Sequence, residues 1–168
     1  MAAVKLRGIV AAILIIAGLS ACSARQAELP EPGQLFETIR QTVRLPEMAD
    51  VAADMLEANT GIAAGEYVSA AYYIPVDSIA PEELILIRAV DDAAARDIRE
   101  KLESYLDYRV ESARMYLTEH MPILQAGVVR RDGLTVSLIV SEQVSEIVSV
   151  YENWQSGQKG RSRTGAAL

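Results

Sequence analysis

The chain has 168 residues, one cysteine, one histidine and a formal net charge of −7. A single cysteine excludes an intramolecular disulfide, so the fold must stand on its core. An acidic surface repels phosphate, which argues against nucleic acid as a partner of the folded part.

The N-terminus has the order of parts of a bacterial lipoprotein signal. Lys5 and Arg7 form a positive start, and Gly8 to Leu19 is an apolar run without charge. At about a dozen residues the run is shorter than the roughly 20 a membrane-spanning helix needs. Leu19-Ser20-Ala21-Cys22 then matches a lipobox, with small residues ahead of the thiol that is lipidated. The expected division is a signal over 1–21, a lipidated tether over 22–33, a single domain over 34–154 and a disordered basic tail over 155–168. Removing the signal takes the net charge to −9. Lys159, Arg161 and Arg163 are the only charges after Trp154, so the part between stands near −12.

Pro30, Pro32 and Gly33 make the tether semi-extended. Leu35, Phe36, Ile39 and Val43 fall at helical spacing and predict a first helix. Pro46 restarts the chain, and Met48, Val51, Ala52, Met55 and Leu56 form the stripe of a second helix, which Asn59-Thr60-Gly61 ends. Glu66 to Ile74 reads as a strand with Val68, Ala70, Tyr72 and Ile74 on one face. Glu83 to Val90 is a more apolar strand with a central place in the sheet.

Asp91 and Asp92 stand where helix N-caps stand. A long helix follows, from about Ala93 to Leu117, with Ile98, Leu102, Leu106, Val110, Ala113 and Leu117 inward. Leu124 to Arg131 and Leu134 to Ser141 read as a hairpin around Asp132-Gly133. Ser141-Glu142 opens a last helix carrying Val144, Ile147, Val148 and Tyr151, which Trp154 closes. The order α-α-β-β-α-β-β-α predicts an α+β fold. It consists of a mostly antiparallel sheet of about four strands with helices on one face.

Three segments carry a likeness. One is Gly61-Ile62 with Tyr67 and Tyr72-Tyr73. Another is Pro81-Glu82-Glu83-Leu84-Ile85-Leu86-Ile87-Arg88-Ala89. The third is Met121-Pro122, Leu124, Gly127-Val128-Val129, Gly133 and Val136-Ser137-Leu138-Ile139-Val140-Ser141. With these, the stretch from about Met48 to Trp154 resembles a family of small Gram-positive lipoproteins catalogued as a domain of unknown function (number 4358). Leu134-Thr135 departs from the aromatic residue that members often carry after the hairpin glycine. The resemblance implies no activity, and no site residue is carried over from it.

The residues that bear chemistry are few. His120 is alone, and one imidazole without a free cysteine does not make a metal site, so no metal or other cofactor is expected. A nucleophilic serine among Ser69, Ser137 and Ser141 would need that same histidine as its base. Ser137 reads as solvent-facing on its strand. Glu82-Glu83 and Asp91-Asp92 flank opposite ends of one strand, well over ~20 Å apart, and read as turn and cap rather than as an acid–base pair. Tyr105, Tyr108 and Tyr116 lie off the aliphatic stripe of the long helix and form a candidate interaction surface.

The expected protein is lipid-anchored through Cys22 on the outer face of the cell membrane. It is a non-enzymatic module that binds an envelope protein, peptide or glycan. The alternatives are a structural lipoprotein that self-associates as a homodimer and, further off, an envelope hydrolase.

Overall fold

The computed structural model describes residues 29–77, 79–116 and 118–164, with the backbone alone for Tyr116 and for 155–164. Strands β1 (Met48–Asp50), β2 (Tyr67–Pro75), β3 (Glu83–Ala89), β4 (Val128–Asp132) and β5 (Thr135–Val140) form one antiparallel sheet in the order β1-β2-β3-β5-β4. Among the described residues there are five α-helices: α1 (Pro32–Thr42), α2 (Ala53–Thr60), α3 (Asp92–Tyr116), α4 (Met121–Gln125) and α5 (Val144–Thr164). The α+β class and the central place of β3 are as the sequence predicts.

The helices lie on both faces of the sheet, not on one. In β3, Ile85 and Ile87 pack with Leu56 of α2, Ile98 and Leu102 of α3 and Leu124 of α4. Leu84 and Leu86 point the other way, against Leu35, Phe36 and Ile39 of α1 and Ile147 and Tyr151 of α5. A strand that is apolar at successive positions has no solvent face, so both sides need cover. Ser137 is corrected by the same fact. It faces the α1–α5 side and is buried rather than solvent-facing.

The second expected helix begins later than Pro46 suggests. Met48–Asp50 pairs instead with Tyr73–Pro75, and the Val76 N–H donates to the Glu47 carbonyl at 2.8 Å. This pairing satisfies an edge of β2 that would otherwise carry bare backbone groups. It also makes the fifth strand. From the expected stripe Leu56 is buried, while Met55 is exposed. Gly61 ends α2 as expected, with φ 72° and its N–H on the Glu57 carbonyl at 2.8 Å.

The expected face of β2 also changes. Tyr72 is buried, but Val68 and Ile74 are exposed. The register shifts between Tyr67 and Ser69, so Val68 is the extra residue of a bulge and its side chain turns outward. Asp91 caps α3, accepting the Ala94 N–H on Oδ1 at 2.8 Å.

Leu124 lies in α4, not in a strand, and β4 starts only after Gly127. A Cβ on Gly127 would stand 2.9 Å from the Leu124 carbonyl and 3.1 Å from Leu106 and Val140, so glycine permits this close turn. The hairpin then turns on Gly133 and Leu134 between the paired Asp132 and Thr135. Gly133 has φ 65° and Leu134 does not share that sign, the pattern of a type II′ turn.

Both ends of the domain extend beyond the sequence reading. Pro32 starts α1 at a first-turn position, and Leu29 is buried among Leu35, Phe36 and Ile39, so the tether expected to reach Gly33 is already docked at Leu29. Phe36 stacks on Tyr73 with ring centroids 3.5 Å apart, fixing α1 to β2. At the other end α5, expected to close at Trp154, is helical to Thr164, through part of the expected disordered tail. Gly157 and Gly160 weaken a helix by about 1 kcal/mol each, but no proline interrupts its hydrogen bonds.

Leu29→Ala is therefore expected to lower unfolding stability by about 2–5 kcal/mol, the usual cost of such a core truncation. Chemical denaturation measures this, and an unchanged midpoint would place Leu29 outside the folded domain.

Candidate functional site

Glu83 is the one acid of β3 and is only 1% exposed. It lies on the face covered by α3, at the start of the strand. The Tyr105 hydroxyl donates to its Oε1 at 3.0 Å. Arg109, one turn further along α3, donates through Nη1 to its Oε2 and through Nη2 to the Pro81 carbonyl at 3.2 Å. Asn59 of α2 donates to the Tyr72 hydroxyl at 3.1 Å, and Tyr72 abuts Glu83 and Tyr105. Two strands, β2 and β3, and two helices, α2 and α3, thus meet around one buried carboxylate.

Burial, followed by the Glu83 charge, pushes the Tyr72 hydroxyl up to about 12. The same two causes push Tyr105 higher. Both phenols therefore stay protonated at neutral pH and serve as donors. Glu83 and Arg109 cancel in charge, and their hydrogen bonds go to one another and to neighbours. The cluster is chemically a clasp between β3 and α3, with α2 attached through Asn59.

A second feature is apolar and outside. Ile74, Val76 and Ile79 stand exposed at the end of β2 and in the connection to β3, with Val76 at 59% and Ile79 at 63%. Described residues of the connection are tied by hydrogen bonds. Asp77 accepts the Ile79 N–H on Oδ1 at 3.1 Å, and its carbonyl accepts the Ala80 N–H at 3.2 Å. Its far end is held by Arg109 at Pro81. Exposed apolar side chains clustered in sequence on a fixed turn are what an interaction site offers.

The tyrosines named from the sequence do not act together. Tyr105 turns inward to Glu83, whereas Tyr108 is exposed on α3. The side chain of Tyr116 lies outside the described residues, as do Leu19, Ser20, Ala21 and Cys22. Met115, two helical turns beyond Tyr108, is also exposed.

The acid pairs fall at opposite ends of β3. Glu83 is in the clasp and Asp91 and Asp92 begin α3, where Asp92 bonds Arg131 and lies 3.1 Å from Arg96. His120 sits in a single 3-10 turn before α4, 3.8 Å from Glu119. Ser137 approaches the Tyr151 hydroxyl inside the α1–α5 face, without reaching hydrogen-bond geometry. Arg130 covers the Tyr151 ring at 5.6 Å. Among the described residues no group of three His, Cys, Asp or Glu side chains is placed to hold a metal ion. No helix among them is long and apolar enough to cross a membrane.

Two outcomes follow for the clasp. Arg109→Leu leaves Glu83 buried without its cation and should cost about 3–5 kcal/mol. Glu83→Leu should cost less, because Arg109 is partly exposed and its guanidinium can turn to water. The double variant should recover much of the loss, and additive single losses in a double-mutant cycle would deny the coupling.

The second outcome concerns alkaline pH. Unfolded tyrosine ionises near 10, while folded Tyr72 holds its proton to about 12. Stability from this group is complete below about pH 10 and is lost as pH rises toward 12, since the unfolded chain then binds fewer protons than the folded one. Tyr72→Phe should flatten that part of a plot of unfolding free energy against pH.

The family comparison bears on the whole arrangement. Residues 41–141 match the family model described as Domain of unknown function (DUF4358). No curated protein and no solved structure matches the chain. The matched segment holds all five strands and α2, α3 and α4, with the clasp from Asn59 to Arg109, while α1 and α5 lie almost wholly outside it. It covers more than half of the chain, which therefore belongs to the DUF4358 family.

Proposed function

We propose that this protein is a lipid-anchored module on the outer face of a bacterial cell membrane, binding a protein of the envelope without catalysing a reaction. The observation that carries the reading is the exposed apolar turn of Ile74, Val76 and Ile79. Such side chains cost free energy in water unless a partner covers them. The address is supported by the lipobox, Leu19-Ser20-Ala21-Cys22 after a short apolar run. The non-enzymatic reading is supported by the clasp, whose ionisable groups are engaged with one another. Peptide or glycan partners stay as outcomes of the experiment.

A second reading is self-association. It is favoured by β4, which forms an edge of the sheet with one neighbour only. An edge strand can add a second copy through its backbone. Arg130 and Arg131 on this strand are already paired within the chain, with Asp132 and Asp92.

The experiment combines in-cell crosslinking with substitution. Cys22→Ser should abolish lipid labelling, and unchanged labelling would refute the address. Crosslinking of the anchored chain should enrich one envelope protein, and Val76→Ser with Ile79→Ser should remove it while thermal stability holds. Crosslinks confined to copies of this chain would favour the edge-strand reading instead.

A further inference from the structure

The anchor and the fold together fix which end of the domain meets the membrane. This step rests on lipidation at Cys22. Leu29 is buried in the core, so the span from anchor to domain ends there at the latest. Seven residue steps separate Cys22 from Leu29, a reach of about 25 Å at full stretch. A strand of the length of β2 spans about 30 Å, so the two ends of the sheet are not equally within reach.

The entry point is tied to one end. Glu31, beside Leu29, accepts the Ser69 hydroxyl at 2.6 Å and pairs with Arg88 at 2.6 Å. Ser69 and Arg88 are opposite each other where β2 begins and β3 ends. Val68, turned out by the bulge, and Val90, just past β3, are exposed at this same end, at 68% and 46%. The Val90 N–H donates to the Glu66 carbonyl, which holds the two segments together.

Charge favours the same end. The described acids here are matched by cations: Glu31 by Arg88, Glu66 by Lys101, and Asp92 by Arg96 and Arg131. Asp91 is engaged as the cap of α3. By contrast, the outer side of α3 exposes Asp97, Glu100 and Asp107. An anionic leaflet repels that side and tolerates the balanced end.

We infer that the end of the sheet bearing Val68 and Val90 rests on the lipid surface. The turn of Ile74, Val76 and Ile79 then points away from it.

The test uses the natively processed lipoprotein, extracted in detergent and reconstituted into vesicles of phosphatidylcholine and phosphatidylglycerol. Single variants V68C, V90C, V76C and I79C each carry a donor dye, and an acceptor dye is placed on lipid headgroups. Energy transfer should be roughly two-fold or more higher at 68 and 90 than at 76 and 79, given the ~30 Å between the ends. Equal or reversed transfer in a chain whose mass shows lipid on Cys22 would overturn the orientation alone. A chain without that lipid would overturn the anchor and the orientation together.

Discussion

β3 sets the terms for the rest of the molecule. Its run Leu84-Ile85-Leu86-Ile87 is fully buried, with alternate side chains on opposite faces. A strand of this kind excludes a two-layer arrangement with one wet face. It needs strands on both sides, supplied by β2 and β5, and helices above and below. α3 meets the first need directly, because it follows β3 after Val90 and Asp91 and folds back over it. The second face is closed by the two ends of the domain, α1 and α5, which meet each other there as well as the sheet. Leu29, Ser137 and Tyr151 are buried as a consequence of that closure. The family segment contains the sheet and one of its coverings, so the other covering is built by chain that flanks the segment.

The clasp at Glu83 answers a different need. A buried ion pair contributes little net stability, since the desolvation of both charges offsets their attraction. Its value is positional. Helix packing on an apolar sheet tolerates sliding by a turn, because one aliphatic contact resembles the next. A carboxylate that must find both Tyr105 and Arg109 does not tolerate it. The clasp also holds Pro81 through Arg109, and with it the end of the connection that exposes Val76 and Ile79. A buried interaction thereby orders the surface feature next to it. Tyr72 and Asn59 extend the same constraint to α2.

Much of this was legible before any coordinates. The periodicities found the long helix, the central strand and the hairpin, because those signals are long or repeat cleanly. The clasp was legible in principle. About 20 Å of β3 is retraced by roughly 14 residues of helix at 1.5 Å each, which brings α3 from Asp92 to the neighbourhood of Tyr105 above Glu83. Reading Glu82-Glu83 as a turn missed this, since adjacent acids look alike in sequence though one is buried. β1 was not legible. Three residues carry no period, and their pairing is decided by the open edge of β2 rather than by their own pattern. Ser137 was misread because alternation was taken to imply water on one face, and the face in question is covered by elements far away in sequence.

The distribution of exposed apolar groups follows from the same constraint. With both faces of the sheet closed by helices, what stays open lies at its ends and on the outer side of α3. Val68 and Val90 stand at the end where the chain enters, and Ile74, Val76 and Ile79 at or beyond the other end. Nothing in core packing asks for them. The bulge at Val68 turns an apolar side chain out of the sheet, and the Asp77 turn fixes Ile79 in water, although a polar residue would fit either place as well. The core is closed by helices on both faces of the sheet, and the apolar side chains at its two ends take no part in it. Their presence there accords with the two contacts proposed, one at each end, while Tyr108 and Met115 leave the outer side of α3 partly apolar as well.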